Sequence, residues 1–252
     1  MKIAVLVFGE FREFENAHKS WTFLNNIDYD IYVSTWNCSH EINEEHLNIN
    51  LYEEVTSDRI LKYFPEATIN ISEPITSSPV TKVDYHWRKL FNMVRISGKE
   101  YDNVILIRPE LMMKETGELY KLINTKITDP IIYNLSGIVL HKPPVFLYVQ
   151  DVFFLGSYKL MRDTFLSFYP PDITYKDIHF HLSKHFINND VYIETVFPNI
   201  VLSYYMMRTV HRKFLNEDFD KQVKISEEWW LSKHRHIRPN EILKLYENSN
   251  LL

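Results

Sequence analysis

The sequence predicts one α/β domain with a mostly parallel central sheet flanked by helices and a helical C-terminal third. Three observations lead to that class. Residues 3–8 and 104–107 are continuous apolar runs without polar alternation, as expected of strands covered on both faces. Segments of helical spacing alternate with such runs as far as residue 107, the signature of crossovers in a parallel sheet. No Pro/Gly/Ser-rich linker divides the 252 residues, a length that one compact domain accommodates.

The first run, Ile3-Ala4-Val5-Leu6-Val7-Phe8, ends at Gly9. A helix is expected at 13–24, where Phe14, Ala17, Trp21 and Leu24 recur at helical spacing. The second strand, Tyr-Asp-Ile-Tyr-Val-Ser-Thr-Trp at 29–36, runs into a polar loop at 37–45. Ser57 and Asp58 suit the start of a helix reaching residue 63, and 67–71 reads as a short strand. Residues 73–79, two prolines among Ser and Thr, are the clearest loop. At 84–96 Trp87, Leu90, Phe91 and Val94 fall at i, i+3, i+4 and i+7, with Gly98 where a C-terminal cap belongs, which predicts a helix. Val104-Ile105-Leu106-Ile107 is the next buried strand and ends in Arg108-Pro109-Glu110. Beyond it the sequence reads as a helix at 115–123 and strands at 131–133, 138–140 and 145–155. Gly156-Ser157 then opens a helix that Pro170-Pro171 stops. A helix at 176–186 and a long, mainly helical apolar stretch at 191–207, broken by Pro198, complete the reading.

Composition excludes several functions. Only five glycines are present, against the roughly 18 that an average usage of about 7% would give, and no two are closer than nineteen positions. No glycine-rich phosphate loop of the dinucleotide, Walker or kinase type can form. A net charge of −5, from 28 Lys+Arg and 33 Asp+Glu, lacks the basic footprint of a nucleic-acid binder. Cys38 is the single cysteine, so an intrachain disulfide and a thiolate metal cluster are excluded, which fits a reducing compartment. The apolar run at 3–8 is too short for a signal-peptide core or a membrane span. A soluble, cytoplasmic protein is expected, with oligomeric state undetermined.

In open parallel sheets ligands bind beyond the carboxyl ends of the strands, so the polar residues that follow buried runs are the first candidates. They are Gly9-Glu10-Phe11-Arg12, Ser34-Thr35-Trp36 and Arg108-Pro109-Glu110. Gln150-Asp151 lies inside an apolar stretch. A carboxylate there needs a hydrogen bond, a counter-charge or a metal, which makes Asp151 the most diagnostic acid; the alternatives are a structural Asp and a base or sugar-hydroxyl acceptor. Glu110 stands between a solvated carboxylate paired with Arg108 and a functional one. Arg88 and Lys89 fall off the apolar stripe of their helix and meet either phosphate or water.

Four blocks in order, Lys-Ile-Ala-Val-Leu-Val-Phe-Gly-Glu-Phe-Arg (2–12), Tyr-Asp-Ile-Tyr-Val-Ser-Thr-Trp (29–36), Tyr-Asp-Asn-Val-Ile-Leu-Ile-Arg-Pro-Glu-Leu (101–111) and Gln-Asp-Val-Phe-Phe-Leu-Gly-Ser (150–157), resemble GT-A-type glycosyltransferases of bacterial surface-polysaccharide clusters, phages and large viruses. The resemblance covers about residues 1–165. It implies a Rossmann-like sheet with a nucleotide-binding half at 1–111 and an acceptor half with C-terminal helices at 112–252. Phe8, Gly9, Glu10 and Arg12 would then meet the base, ribose or diphosphate of a nucleoside-diphosphate sugar, joined by Thr35, Arg88 and Arg108. The family's Asp-x-Asp, which holds a divalent cation such as Mn²⁺ or Mg²⁺, corresponds here to Arg108-Pro109-Glu110. Glu110 is thus the one expected metal ligand, and Arg108 replaces the other acid. Asp151 would orient the donor sugar or deprotonate the acceptor.

Other motifs carry less. Asp28-Tyr29-Asp30 and Asp218-Phe219-Asp220 do not follow buried runs and are expected to be solvated acids. His179, His181 and His185 lack the Glu and third ligand of a zinc site and are expected at the surface. His211 and His234-Arg235-His236 are unranked phosphate or cation contacts. Tyr204-Tyr205 and Trp229-Trp230 are expected in the core before an acceptor platform. The function expected is transfer of a sugar to an acceptor hydroxyl of a glycan; the alternatives are a nucleotidyltransferase and an inactive carbohydrate-binding or scaffold protein of the same fold.

Overall fold

Six apolar residues in a row need apolar cover on both faces, and β1 (Lys2–Phe8) obtains it near the centre of a seven-stranded sheet. The computed structural model describes residues 1–11, 14–41, 51–77, 79–113, 117–134, 151–169, 178–195 and 201–202. After β1 come α1 (Phe14–Ala17), the 3-10 turns His18–Ser20 and Thr22–Leu24, β2 (Asp28–Trp36), β3 (Cys38–Glu41), β4 (Leu51–Glu54), α2 (Ser57–Leu61) and β5 (Thr68–Ser72). Then follow α3 (Pro79–Ser97), β6 (Asn103–Ile107), β7 (Met112–Met113), α4 (Gly117–Ile123) and β8 (Ile131–Asn134). Last are β9 (Phe153–Ser157), α5 (Tyr158–Leu166), α6 (Ile178–Asn188), β10 (Tyr192–Thr195) and β11 (Val201–Leu202).

The sheet order is β10-β8-β9-β6-β1-β2-β5. β1 pairs in parallel with β2 and β6, β2 with β5, and β8 with β10, whereas β9 runs antiparallel to both of its neighbours. This is the expected α/β class, mostly parallel with one reversed strand.

Strand alternation splits the core into two layers. Ile3, Val5, Val7, Ile31, Val33, Ile105, Ile107, Phe153 and Leu155 face α1, the 3-10 turns, α2 and α4. Ala4, Leu6, Phe8, Tyr32, Val104, Leu106 and Phe154 face α3, α5 and α6. On that side Trp87, Leu90, Phe91 and Val94, the stripe seen in the sequence, are all buried, and Trp87 meets Phe165 edge-on at 4.7 Å.

Several expectations need correction. The helix expected at 13–24 is one α turn followed by two 3-10 turns, because the same apolar spacing also suits the tighter winding. The loop expected at 37–45 begins with β3, which pairs antiparallel with β4. α3 starts at Pro79 rather than residue 84, with proline at a first-turn position where its missing N–H is harmless. Gly156 lies within β9 rather than opening a helix. A Cβ there would sit 3.1 Å from Met161 Cγ, so it serves close packing, and Ser157 caps α5 by accepting from Leu160 N at 3.4 Å. In the stretch expected to be helical at 191–207, Tyr192–Thr195 and Val201–Leu202 are strands. The strand expected at 138–140, the first part of that at 145–155 and everything after residue 202 lie outside the described residues. Among the described residues no helix is long and apolar enough to cross a membrane.

Candidate functional site

Because β9 runs against the sheet, its entrance shares an edge with the carboxyl ends of β1 and β6. Ile107 pairs with Val7 on one side and Phe153 on the other, and Arg108 N donates to Val152 O at 3.0 Å. That brings Asp151 to Arg108-Pro109-Glu110. Arg108 Nη2 lies 2.7 Å from Glu110 Oε1, and Nη1 lies 3.3 Å from Asp151 Oδ2. The side chains are 15%, 1% and 8% exposed respectively, so this is a buried triad. With two carboxylates and one guanidinium it carries a formal excess of one negative charge. A buried carboxylate is costly without such a partner, so the triad accounts for why acids are tolerated at both positions.

The segment after Glu110 is anchored from the opposite layer. Leu111 N donates to Arg108 O at 3.2 Å, Trp21 Nε1 donates to Leu111 O at 2.7 Å, and Met113 N donates to Ser20 Oγ at 2.8 Å. Gly9 completes the edge from β1. Its N–H donates to Ser34 O at 3.2 Å, and its φ of +104° is one that other residues rarely adopt. A Cβ on Gly9 would lie 3.9 Å from Arg108 Nε, which places the turn against the triad.

The remaining expected residues divide. Glu10 is half-buried beyond Gly9, and its charge reaches Cys38, whose thiol is pushed up first by burial and then by Glu10 and Glu73. Thr35 is buried at the end of β2 and donates to Trp36 O at 3.3 Å. Arg12 and Gln150 lie outside the described residues. Phe8 is not presented to a nucleoside: it is 1% exposed, within the core, with Trp87 edge-on at 5.8 Å. Arg88 is also placed elsewhere. Its Nε contacts Asp84 Oδ2 at 2.8 Å, Nη1 donates to Leu166 O at 3.2 Å and Nη2 to Phe168 O, so the guanidinium clamps the end of α5 to α3.

Of the acids and histidines set aside on sequence grounds, Asp28 is exposed as expected, whereas Asp30 and His185 are engaged in the fold. Asp30 is a quarter exposed but paired: it accepts from Tyr101 OH at 2.7 Å and meets Lys99 at 2.7 Å and Lys2 at 2.9 Å, at the end of the sheet opposite the triad. His185, expected at the surface, is half-buried with Nε2 2.8 Å from Thr164 O. Burial lowers its basicity more than that carbonyl raises it.

Glu110 and Asp151 do not by themselves form a divalent-cation set. The positive group between them is the Arg108 guanidinium, and among the described residues no group of three or more His, Cys, Asp or Glu converges on one point. One further residue belongs to this edge and escaped the sequence reading. His86 on α3 is 1% exposed, with Nδ1 2.9 Å from Ser34 Oγ. Burial, and after it the charge of Arg108, lower its basicity to a pKa of about 3, which holds the ring neutral.

No protein-family profile matches the chain, and no curated protein matches it. Among solved structures it is similar to the apo-form glycosyltransferase GlyE of Streptococcus pneumoniae, with 13% identity and a TM-score of 0.43. The similarity covers 92% of this chain and 63% of that one.

Proposed function

We propose that the protein is a glycosyltransferase that moves a sugar from a nucleoside-diphosphate sugar to an acceptor hydroxyl of a glycan. The observation that supports this reading is the Arg108–Glu110–Asp151 triad at the carboxyl-end edge of a mostly parallel sheet, beside the Gly9 turn. In the reaction the bond from the sugar's anomeric carbon to the diphosphate breaks, a bond to the acceptor oxygen forms, and the acceptor's proton leaves. The diphosphate gains negative charge as it departs, and a fixed guanidinium at a dry sheet edge is suited to stabilise it. Arg108 takes that role, with Glu110 holding the guanidinium in place. Asp151 accepts from hydroxyls of the donor sugar or takes the acceptor's proton. Gly9 lets the chain turn beside the nucleoside, with Glu10 next to it. Because the triad is itself one charge negative, the diphosphate needs a further cation, and Arg12 is the residue we assign to it.

Calorimetry with UDP-, GDP- and dTDP-sugars, each with EDTA and with Mn²⁺, tests the reading. Binding that persists in EDTA, with release of free nucleoside diphosphate during turnover, is the expected result. Failure of every donor to bind would overturn the proposal, and release of pyrophosphate would redirect it to nucleotidyl transfer. An Asp151→Asn variant that keeps its melting temperature and loses donor turnover separates an enzyme from an inactive binding protein.

A further inference from the structure

His86, on the α3 face of this edge, is a polar side chain that the reaction above leaves unused. Its ring lies 4.1 Å from that of Trp36 and 5.5 Å from that of Tyr85, while its neighbour in sequence, Trp87, faces the core. Its proton can be placed from the network behind it. Asn70 Nδ2, which can only donate, lies 3.0 Å from Ser72 Oγ and 3.4 Å from Ser34 Oγ. Tyr85 OH also donates to Ser72 Oγ, at 2.9 Å, which strengthens that anchor. Ser34 Oγ accepts from Asn70, and among the described residues its own proton has no acceptor but His86 Nδ1, at 2.9 Å. Nδ1 is then an acceptor, and the ring carries its proton on Nε2.

Nε2 leaves the ring on the side away from Ser34, is buried, and makes no hydrogen bond with any described residue. A buried N–H without an acceptor costs a fold free energy and rarely persists without a function. Ser34 O receives the Gly9 N–H, and Arg108 is close enough to disfavour a charge on the imidazole, so the donor belongs to the same edge as the triad. The group is neutral and flanked by aromatic rings, so it suits an uncharged acceptor better than a phosphate oxygen, which the cations serve.

We propose that the His86 Nε2–H, set as a donor by Ser34 and Asn70, binds a carbonyl oxygen of the nucleobase and selects nucleotides whose base has one. The inference rests on the reading of this edge as a nucleoside-diphosphate-sugar site. Uracil, thymine and guanine carry such a carbonyl; adenine does not.

The test measures binding of UDP, dTDP, GDP and ADP to the full chain by calorimetry, for the wild type, His86→Phe, His86→Gln and Ser34→Ala. His86→Phe is expected to weaken the best carbonyl-bearing diphosphate about tenfold, the range of one neutral hydrogen bond, and to leave ADP unchanged. His86→Gln, which keeps an N–H donor, should recover part of the loss, and Ser34→Ala should share it. Nitrogen-15 NMR of the wild type should show Nε2 protonated and Nδ1 bare, with the Nε2–H resonance moving when UDP or GDP is added. If the carbonyl-bearing diphosphates bind the wild type and His86→Phe equally, or if the proton is found on Nδ1, the proposal falls while the site reading stands. Preference of the wild type for ADP would also overturn it. If none of the four binds, both the site reading and the proposal fall. Should His86→Phe not fold, the NMR measurement and His86→Gln decide.

Discussion

Replacing Arg108 with methionine removes the guanidinium that pairs with both Glu110 and Asp151 while keeping much of the side-chain volume. Glu110 is 1% exposed and Asp151 8%, so solvent can take over little of the compensation that the guanidinium supplies to each. Breaking a buried ion pair by deleting one partner costs about 3–5 kcal/mol. For a domain of this size each kcal/mol moves the melting temperature by about 2–4 °C, so a fall of about 6–20 °C is expected in differential scanning calorimetry. The double variant Arg108→Met/Glu110→Gln supplies the internal check. With one stranded charge gone it should be more stable than Arg108→Met alone, although it departs further from the native sequence. A loss below about 1 kcal/mol for the single variant, or a double variant no more stable than the single one, would refute the claim that the triad is a mutually compensating buried unit.

Three further outcomes follow from neighbouring geometry. At Asp30, burial raises the carboxyl's pKa, but hydrogen bonds from Lys99, Tyr101 and Lys2 outweigh it and bring it down to about 2. The stability this group contributes is complete above its ordinary value of 3.8 and is lost as pH falls towards 2, so Asp30→Asn should flatten the decline of the urea midpoint between pH 4.5 and 2.5. Arg88→Ala releases the end of α5 and leaves Asp84, 10% exposed, without its partner. It should cost about 2–3 kcal/mol in chemical denaturation with nucleotide affinity unchanged; a loss of affinity would return Arg88 to the phosphate site. Gly9→Ala meets no steric obstacle, since its Cβ would be 3.9 Å from Arg108 Nε, yet a φ of +104° should cost about 1–3 kcal/mol of stability by circular dichroism melts.

The parts of the fold legible in the sequence are those where burial forces a pattern. The run of apolar residues in β1 and β6 and the stripe of Trp87, Leu90, Phe91 and Val94 leave one arrangement for each element. Short apolar runs do not have that property. The segment holding β10 is as compatible with a buried helix as with a strand, and only the hydrogen bonds to β8 decide it. Strand direction is likewise unwritten, since β9 has the apolar composition of the strands beside it and yet runs antiparallel to both. In the site, an acid within an apolar stretch was sufficient to mark Asp151, and a strand end was sufficient for Arg108 and Glu110. His86 left no such mark. It sits inside a predicted helix next to Trp87, and its meaning depends on Ser34, 52 residues earlier.

The pairing of β1 also bears on how the chain can be made. β1 has one neighbour close in sequence, β2, but its other edge awaits Asn103, the partner of Ile3 about a hundred residues later. During synthesis a fully apolar strand therefore waits with one edge unsatisfied, the condition under which nascent chains associate wrongly. Arg108, Glu110 and Asp151 can meet only after β6 and then β9 have docked. Formation of the triad is thus a report on whether β6 and β9 have both joined the sheet, and under the proposed function a loss of binding in a truncated or slowly folding preparation reflects an unfinished sheet before it reflects damaged chemistry.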